Sequence, residues 1–229
     1  MNYKLAGLLL AGGQSARFAG NKLLSQHPIA NTSLVTYSAY QLKNALSDDT
    51  ASVQSHIEML VVTGKWDKSV RDALSHLPVS VITNANWQEG IAASIREGVS
   101  YLAAGKPIVD IEDKHSVALT HSEVVPSHIL ITLADLPKIS SYDLRELIEA
   151  SKANPSHVVC SEWLNEGKTK LTVPAIFPAD AFDDLMAISG DIGAKPVIAK
   201  YKKAGKLTAV PIPNAEFDID TPQDWVSLY

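Results

Sequence analysis

The feature that most constrains this fold is the alternation of short apolar runs with longer helix-like segments. Several of the runs are almost continuous in leucine, isoleucine and valine, which is typical of strands covered on both faces. Strands of that kind form parallel sheets with helices on either side. The sequence therefore predicts an α/β fold with a doubly wound, mostly parallel sheet. The predicted strands are 4–11, 57–63, 79–84, 128–134, 157–161 and 207–212.

Helix-like segments lie between these strands. Ser140 or Ser141 can cap one of them, and Thr221 precedes Pro222 at the first helical position of another. A single domain over 1–229 is expected, because one α/β core can reach this length undivided. Segment 105–127 is long and rich in charge and histidine, and it predicts a functional loop, a lid or a partly disordered insertion. The predicted helices are 32–46, 68–76, 87–104, 141–153, 180–188, 192–203 and 222–226.

Charge and composition exclude several classes of partner. The net charge is −5, so the chain as a whole does not attract nucleic acid or an anionic membrane surface. No run approaches the roughly 18 apolar residues that span a bilayer. The single cysteine, Cys160, excludes an intrachain disulfide and fits a reducing compartment. The first apolar run could also be a secretory segment, but Arg17 and Lys22 follow it within a domain-like pattern, so we expect a strand and a cytoplasmic protein.

The residues after the first strand predict an anion-binding turn. Gly12 and Gly13 end the apolar run, and Arg17 and Lys22 follow within ten residues. Backbone N–H groups at the carboxyl end of a strand can hold phosphate oxygens, and the cations would balance their charge. The dinucleotide fingerprint and the Walker A pattern are absent, since the required glycine spacing and a serine or threonine after Lys22 are missing. A plain tight turn with two solvated cations is the alternative.

Aspartates follow two other elements of the predicted fold. Asp135 ends an apolar strand just before Pro137, and Asp218 and Asp220 share one face of an extended segment. Carboxylates at such positions can hold Mg²⁺ together with substrate phosphates. Each could instead cap local N–H groups or stand in solvent. Taken with the glycine turn, they indicate Mg²⁺-dependent chemistry on a nucleoside triphosphate (NTP).

Five segments resemble motifs of the nucleotidyltransferases that include molybdenum cofactor cytidylyltransferase and guanylyltransferase. They occur in the family's order between residues 5 and 226, and the second, fourth and fifth resemble the cytidylyltransferase branch. The resemblance implies a Rossmann-like fold of the nucleotide-diphospho-sugar transferase kind. The segments are LLLAGGQSARFAGNKLL (8–24), NANWQEGIAASIREGV (84–99), LITLADLP (130–137), PAIFPADAFDDLMAISGDIGAK (174–195) and DIDTPQDW (218–225).

The same resemblance implies an activity and a set of site residues. A nucleoside monophosphate, CMP in the first instance, would pass from an NTP to a phosphorylated acceptor such as molybdopterin, with release of pyrophosphate. Transient contacts with cofactor-pathway or molybdoenzyme-maturation proteins are also implied. Arg17, Lys22 and Asp135 would be catalytic, and Asp135, Asp218 and Asp220 would bind Mg²⁺. Nucleotide-binding residues would be Leu10, Ala11, Gly12, Gly13, Ser15, Lys22, Asn84, Gly90 and Ser94.

Two departures from the family pattern keep other functions open. Ala19 stands where the family has glycine, and the residues before Pro174 lack the branch's glycine and histidine. A catalytically silent nucleotide-sensing or partner-binding module would tolerate both changes. A nucleotidyltransferase with another acceptor, a sugar phosphate or a cofactor precursor, is the further alternative. A nicotinamide-dependent oxidoreductase is disfavoured because its glycine fingerprint is missing.

Overall fold

A mixed seven-stranded sheet organises the described part of the chain. The computed structural model describes residues 3–18, 20–47, 59–105 and 125–228. The strands are β1 (Leu5–Ala11), β2 (Gln26–His27), β3 (Thr32–Ser33), β4 (Met59–Thr63), β5 (Ser80–Thr83), β6 (His128–Leu133), β7 (Val158–Asn165), β8 (Lys168–Pro178) and β9 (Leu207–Pro211). The helices are α1 (Leu34–Ser47), α2 (Asp67–Leu74), α3 (Ile91–Ala103), α4 (Ser141–Ala153), α5 (Phe182–Met186), α6 (Lys195–Lys203) and α7 (Pro222–Leu228).

The sheet has the strand order β5-β4-β1-β6-β8-β7-β9. Strands β5, β4, β1 and β6 are mutually parallel, while β8 runs antiparallel to both of its neighbours. β9 pairs in parallel with β7, and β2 and β3 form a separate short ribbon. The predicted α/β fold with a mostly parallel sheet is thus confirmed.

Helices cover both faces of the sheet, as the continuous apolar strands predict. In β1, Leu9 packs in the cluster formed with α1, α2 and α4, whereas Leu8 and Leu10 pack in the cluster with α3, α5 and α6. Burial of each such side chain stabilises the fold by about 1.5–3 kcal/mol. None of the described helices is both long and apolar enough to cross a membrane.

Strand β8 was not predicted. Prolines within a run argue against a strand with two paired neighbours, and β8 contains Pro174. The structure accommodates it at an irregularity, because the pairing of β7 with β8 steps from Cys160–Ala175 to Ser161–Thr172. The Ser161 hydroxyl donates to the Pro174 carbonyl at 2.7 Å. A proline is tolerated there because the regular ladder is already interrupted.

Several predicted helix boundaries need correction. The predicted helix 87–104 is a 3₁₀ turn over Trp87–Glu89 followed by α3, because Gly90, with φ of 111°, interrupts the helix. The predicted helix 192–203 begins only at Lys195, the first residue of α6. Ser140 is confirmed as the cap of α4. The insertion predicted at 105–127 falls mainly on 106–124, which, like residue 19, lies outside the described residues.

Candidate functional site

A cavity of about 440 Å³ lies where β1 and β6 end. Ligands of open parallel sheets bind outside the carboxyl ends of the strands, so its position agrees with the general rule. Most of the residues implied by the resemblance line this cavity. They are Leu10, Ala11, Gly12, Gly13, Ser15, Arg17, Lys22, Gly90, Ser94, Asp135 and Asp220.

Asn84 and Asp218 are not part of the cavity lining. Asn84 is buried, and its side-chain amide donates to the Ser94 hydroxyl at 3.1 Å while its carbonyl accepts from the Asn86 N–H at 2.9 Å. Asn84 therefore supports Ser94 from behind the cavity wall. The nucleotide-binding role that the resemblance implies for Asn84 would therefore act through Ser94, which does line the cavity.

The loop after β1 is held in shape by local contacts. A Cβ atom on Gly12 would lie 2.6 Å from the Ser94 hydroxyl oxygen, so a larger residue there would require the Ser94 side chain to move. Ser15 has φ of 54°, a left-handed conformation that non-glycine residues adopt mainly where surrounding contacts enforce it. Its hydroxyl accepts from the Lys22 N–H at 3.3 Å. The loop thus fixes the start of the short 3₁₀ turn Lys22–Leu24.

The two cations of the loop meet the predicted carboxylates. Lys22 Nζ lies 2.7 Å from Asp135 Oδ2 and 3.2 Å from Asp220 Oδ1, and the Arg17 guanidinium lies 2.6 Å from Asp220 Oδ2. Only 10% of the Lys22 side chain is exposed. Burial by itself would lower the pKa of Lys22, but the charges and hydrogen bonds of Asp135 and Asp220 outweigh it and raise the pKa. Lys22 is therefore held as an ammonium ion between two carboxylates.

Asp218 lies close to the carboxylates of Asp135 and Asp220. The Ile219 N–H donates to the Asp135 carbonyl at 2.9 Å and so joins the segment to the end of β6. Partial desolvation raises the pKa of Asp218, and the nearby Asp135 and Asp220 carboxylates raise it further. The three aspartates, from two distant parts of the sequence, thus come together near one lysine.

The donor set fits a divalent cation. Asp135 Oδ1 is buried and has no hydrogen-bond partner among the described residues, which is uncommon for a buried polar atom. Within the ranges that the structure covers, no group of three or more histidine, cysteine, aspartate or glutamate side chains is arranged as a ready-made metal cage. Mg²⁺ ordinarily uses one or two carboxylates and completes its shell with water and substrate phosphates. An unpartnered carboxylate oxygen beside the glycine loop is compatible with that mode of binding.

The opposite wall of the cavity contains residues that sequence reasoning missed. Glu89 and Asp191 both line it. Arg96 donates to Glu89 Oε2 at 2.6 Å and to the Ile188 carbonyl at 2.8 Å. The sequence signal for these residues was their place in the segments 84–99 and 174–195 that carry the family resemblance. Without the fold, nothing indicated that the two segments meet.

Comparisons with known proteins identify the family and the fold. A family model described as the MobA-like NTP transferase domain matches residues 7–204. A nucleotidyl transferase from Methanothermobacter thermautotroptrophicus superposes with a TM-score of 0.70 at 20% identity, over 99% of this chain and 96% of that one. No curated protein matches the chain in sequence.

Mycobacterial structures share the same fold. Rv0371c from Mycobacterium tuberculosis H37Rv superposes with a TM-score of 0.70 at 18% identity, over 99% of this chain and 97% of that one. A complex of Rv0371c with manganese superposes with a TM-score of 0.65 at 18% identity, over 98% and 97% of the two chains. At these identities the likeness shows the fold, and the manganese complex describes that protein.

Proposed function

The chain belongs to the MobA-like NTP transferase family, and from that premise we propose that it transfers CMP from CTP to a phosphorylated acceptor, with molybdopterin as the first candidate. Pyrophosphate is the second product. The observation that carries the proposal is the contact of Lys22 with Asp135 and Asp220 beside the glycine loop. It joins a phosphate-binding element to a cluster of carboxylates within one cavity.

The chemistry is a displacement at the α-phosphorus of the NTP. An acceptor oxygen forms a bond to that phosphorus, the bond from the phosphorus to the α,β-bridging oxygen breaks, and its electron pair leaves with pyrophosphate. The chain's own contribution is to position the two substrates and to balance the growing charge. Backbone N–H groups of the loop after β1, together with Arg17 and Lys22, would bind the triphosphate.

Asp135, with Asp218 and Asp220, would hold Mg²⁺ at the edge of the cavity. When bound, the ion would neutralise charge on the phosphate oxygens. The unpartnered Oδ1 of Asp135 supports this assignment, as does the manganese complex of a protein with the same fold. Lys22 would then exchange one or both of its carboxylate partners for phosphate oxygens.

The preference for CTP rests mainly on two of the segments that resemble the cytidylyltransferase branch, 84–99 and 174–195. One of them supplies the wall around Trp87 and Gly90, and the other supplies Asp191 on the same side of the cavity. Both segments therefore lie where they can contact a substrate. This placement supports the branch assignment over a role for these segments in core packing alone.

The test is a nucleotide screen followed by an assay of turnover. Thermal unfolding is measured with each of the four NTPs and Mg²⁺, since a ligand at about 100 times its Kd stabilises the folded state by about 2.7 kcal/mol. We expect CTP to give the largest shift and to release pyrophosphate when molybdopterin is added. A larger shift with GTP would contradict the choice of nucleotide. CTP binding without pyrophosphate release would contradict the acceptor and favour a nucleotide-sensing module or another acceptor.

A further inference from the structure

The two ends of the cavity differ in their cations. Arg17 and Lys22 lie at the end beside Asp135 and Asp220, which balance their charge. Glu89 and Asp191 lie on the side of the turn that follows β5, where the described cavity lining contains no lysine or arginine. Strands β4 and β6 flank β1 in the sheet, so these two ends lie on opposite sides of the glycine loop. If the proposed function holds, the triphosphate occupies the end that contains Arg17 and Lys22, and the nucleoside extends towards Glu89 and Asp191.

Arg96 joins segments 84–99 and 174–195, which contribute Glu89 and Asp191 to the cavity wall. It projects from α3, and its guanidinium donates at 2.6 Å to Glu89 Oε2 and at 2.8 Å to the Ile188 carbonyl. The planar guanidinium has several N–H donors in fixed directions, so it can bond both acceptors at once. A lysine ammonium in its place would restrain the relative positions of the two acceptors less. The pair with Glu89 is partly exposed, so its electrostatic contribution to folding is small. The two hydrogen bonds of Arg96 instead hold segment 188–191 against the start of α3.

The close approach of Gly90 to Gly190 also holds segment 188–191 against the start of α3. A Cβ atom on Gly90 would lie 2.7 Å from the Gly190 carbonyl oxygen, and the φ of 111° at Gly90 also favours glycine. The Ala92 N–H donates to that same carbonyl at 3.1 Å. The backbone before Asp191 therefore has little room to shift while these contacts are made.

The Asp191 carboxylate is the group that this arrangement presents to the cavity. Its Oδ1 accepts from the Ile91 N–H at 3.3 Å, and the residue lines the cavity wall. A carboxylate can only accept hydrogen bonds, it repels phosphate, and it pairs well with hydroxyl groups. The ribose of every NTP carries two hydroxyl donors.

We propose that Asp191 accepts hydrogen bonds from the ribose hydroxyls of the NTP, and that Arg96 is a positioning residue that holds Asp191 in place. This inference rests on the proposed function, because it requires an NTP in the cavity. It adds a specificity element: the end with Glu89 and Asp191 accepts the hydroxylated part of the nucleotide. It disfavours the triphosphate, because its described lining contains carboxylates and no cation. The NTP is thereby oriented with its α-phosphate towards Asp135.

Calorimetry with three ligands in the presence of Mg²⁺ tests the proposal. The ligands are CTP, 2′,3′-dideoxy-CTP, which lacks both hydroxyls, and inorganic tripolyphosphate, which lacks the nucleoside. The wild-type protein should bind dideoxy-CTP about tenfold more weakly than CTP. Asp191→Ala should weaken CTP binding about tenfold and leave dideoxy-CTP and tripolyphosphate binding unchanged, because the hydroxyls and the carboxylate are partners. Asp191→Asn, which keeps one acceptor oxygen, should fall between.

Arg96→Met tests the positioning role with the same ligands. It should weaken CTP binding several-fold and leave tripolyphosphate binding unchanged, and Arg96→Lys should recover part of the loss. Arg71→Met is the matched control, since Arg71 forms a comparable ion pair with Asp67 at 2.9 Å but does not line the cavity. It should change none of the three affinities.

Two results would overturn the inference while NTP binding itself persists. One is an equal loss of CTP and dideoxy-CTP affinity in Asp191→Ala. The other is a loss of tripolyphosphate affinity in Arg96→Met as large as its loss of CTP affinity. A wild-type protein that binds no NTP would overturn the proposed function and the inference with it, and this outcome is distinct from the other two.

Discussion

The two ends of strand β6 use polar residues in opposite ways. At its first residue, His128 is buried, and its ring nitrogens are hydrogen-bonded to the Pro155 carbonyl and the Ser127 hydroxyl, both at 2.8 Å. Just beyond its last residue, Asp135 shares Lys22 with another carboxylate and keeps one buried oxygen without a partner among the described residues. Complete pairing at the first end stabilises the fold, whereas incomplete pairing at the second leaves a group available to a ligand.

The largest expected effect is at the Asp135 end. Asp135→Asn keeps the shape of the side chain and a hydrogen-bond acceptor for Lys22, but it removes the charge that we assign to Mg²⁺ binding. We expect kcat for pyrophosphate release to fall by about a hundredfold, equivalent to about 2.7 kcal/mol. The free energy of unfolding should change by less than about 1 kcal/mol. Urea unfolding and steady-state kinetics at saturating Mg²⁺ measure the two quantities.

Asp184→Asn is the control for this variant. Asp184 also forms an ion pair, with Lys200 at 2.7 Å, but it lies outside the cavity lining. Its kcat should equal that of the wild-type protein. Turnover near the wild-type value in Asp135→Asn would refute the assignment of Asp135.

The next effect concerns the lysine at the same end. Lys22→Met removes the ammonium that faces Asp135 and Asp220, so the cavity becomes more negative and repels a triphosphate. We expect the Kd for NTP with Mg²⁺ to rise about thirtyfold, or about 2 kcal/mol. Calorimetry on a variant shown by circular dichroism to be folded provides the measurement. An unchanged Kd would mean that Lys22 only stabilises the two aspartates.

A substitution at the His128 end of β6 should lower the free energy of unfolding and leave activity unchanged, the reverse of what we expect at the Asp135 end. His128→Ala removes two hydrogen bonds and part of the contact with the Tyr3 ring, whose centroid lies 4.3 Å from that of the imidazole. We expect a loss of about 1.5 kcal/mol in the free energy of unfolding, with kcat and NTP affinity unchanged. A large loss of activity in a folded His128→Ala protein would contradict the separation of the two ends.

The smallest effect is a dependence of stability on pH. Burial lowers the pKa of His128 below its ordinary value of 6.5, and the hydrogen bond to the Pro155 carbonyl offsets only part of this. The unfolded chain therefore takes up a proton at a higher pH than the folded chain does. The stability contribution of His128 is fully present above pH 6.5 and is lost as the pH falls towards the pKa of the folded state. Urea unfolding between pH 7.5 and 5.5 should show a steeper loss for the wild-type protein than for His128→Ala.

The sequence was most informative where strands are parallel and buried on both faces. The apolar runs of β1 and β6 predicted both strands, and the rule that parallel strands end at one edge predicted that Asp135 would lie near the glycine loop. The contact between Lys22 and Asp135 lies at this edge, although 113 residues separate them, and the rule alone did not predict that the two side chains pair. Local patterns were sufficient here because each strand carries its own burial signal.

The sequence was least informative where the backbone is irregular. The prolines of β8 obscured a strand that lies inside the sheet, and no pattern indicated that the Asn84 side chain is buried behind Ser94. The link from Glu89 through Arg96 to Ile188 depends on a surface segment that docks onto α3. Such contacts leave no periodic signal, because they depend on where two loops meet after the sheet has formed.

We propose that the Asp135 end binds a divalent ion together with an NTP, and Mn²⁺ binding followed by electron paramagnetic resonance is the decisive measurement. Free Mn²⁺ is titrated against the wild-type protein and Asp135→Asn, with and without a non-hydrolysable CTP analogue. We expect the analogue and the wild-type protein together to bind Mn²⁺ at least tenfold more tightly than either does alone, and Asp135→Asn to remove this gain. Equal Mn²⁺ binding by the two proteins in the presence of the analogue would contradict it.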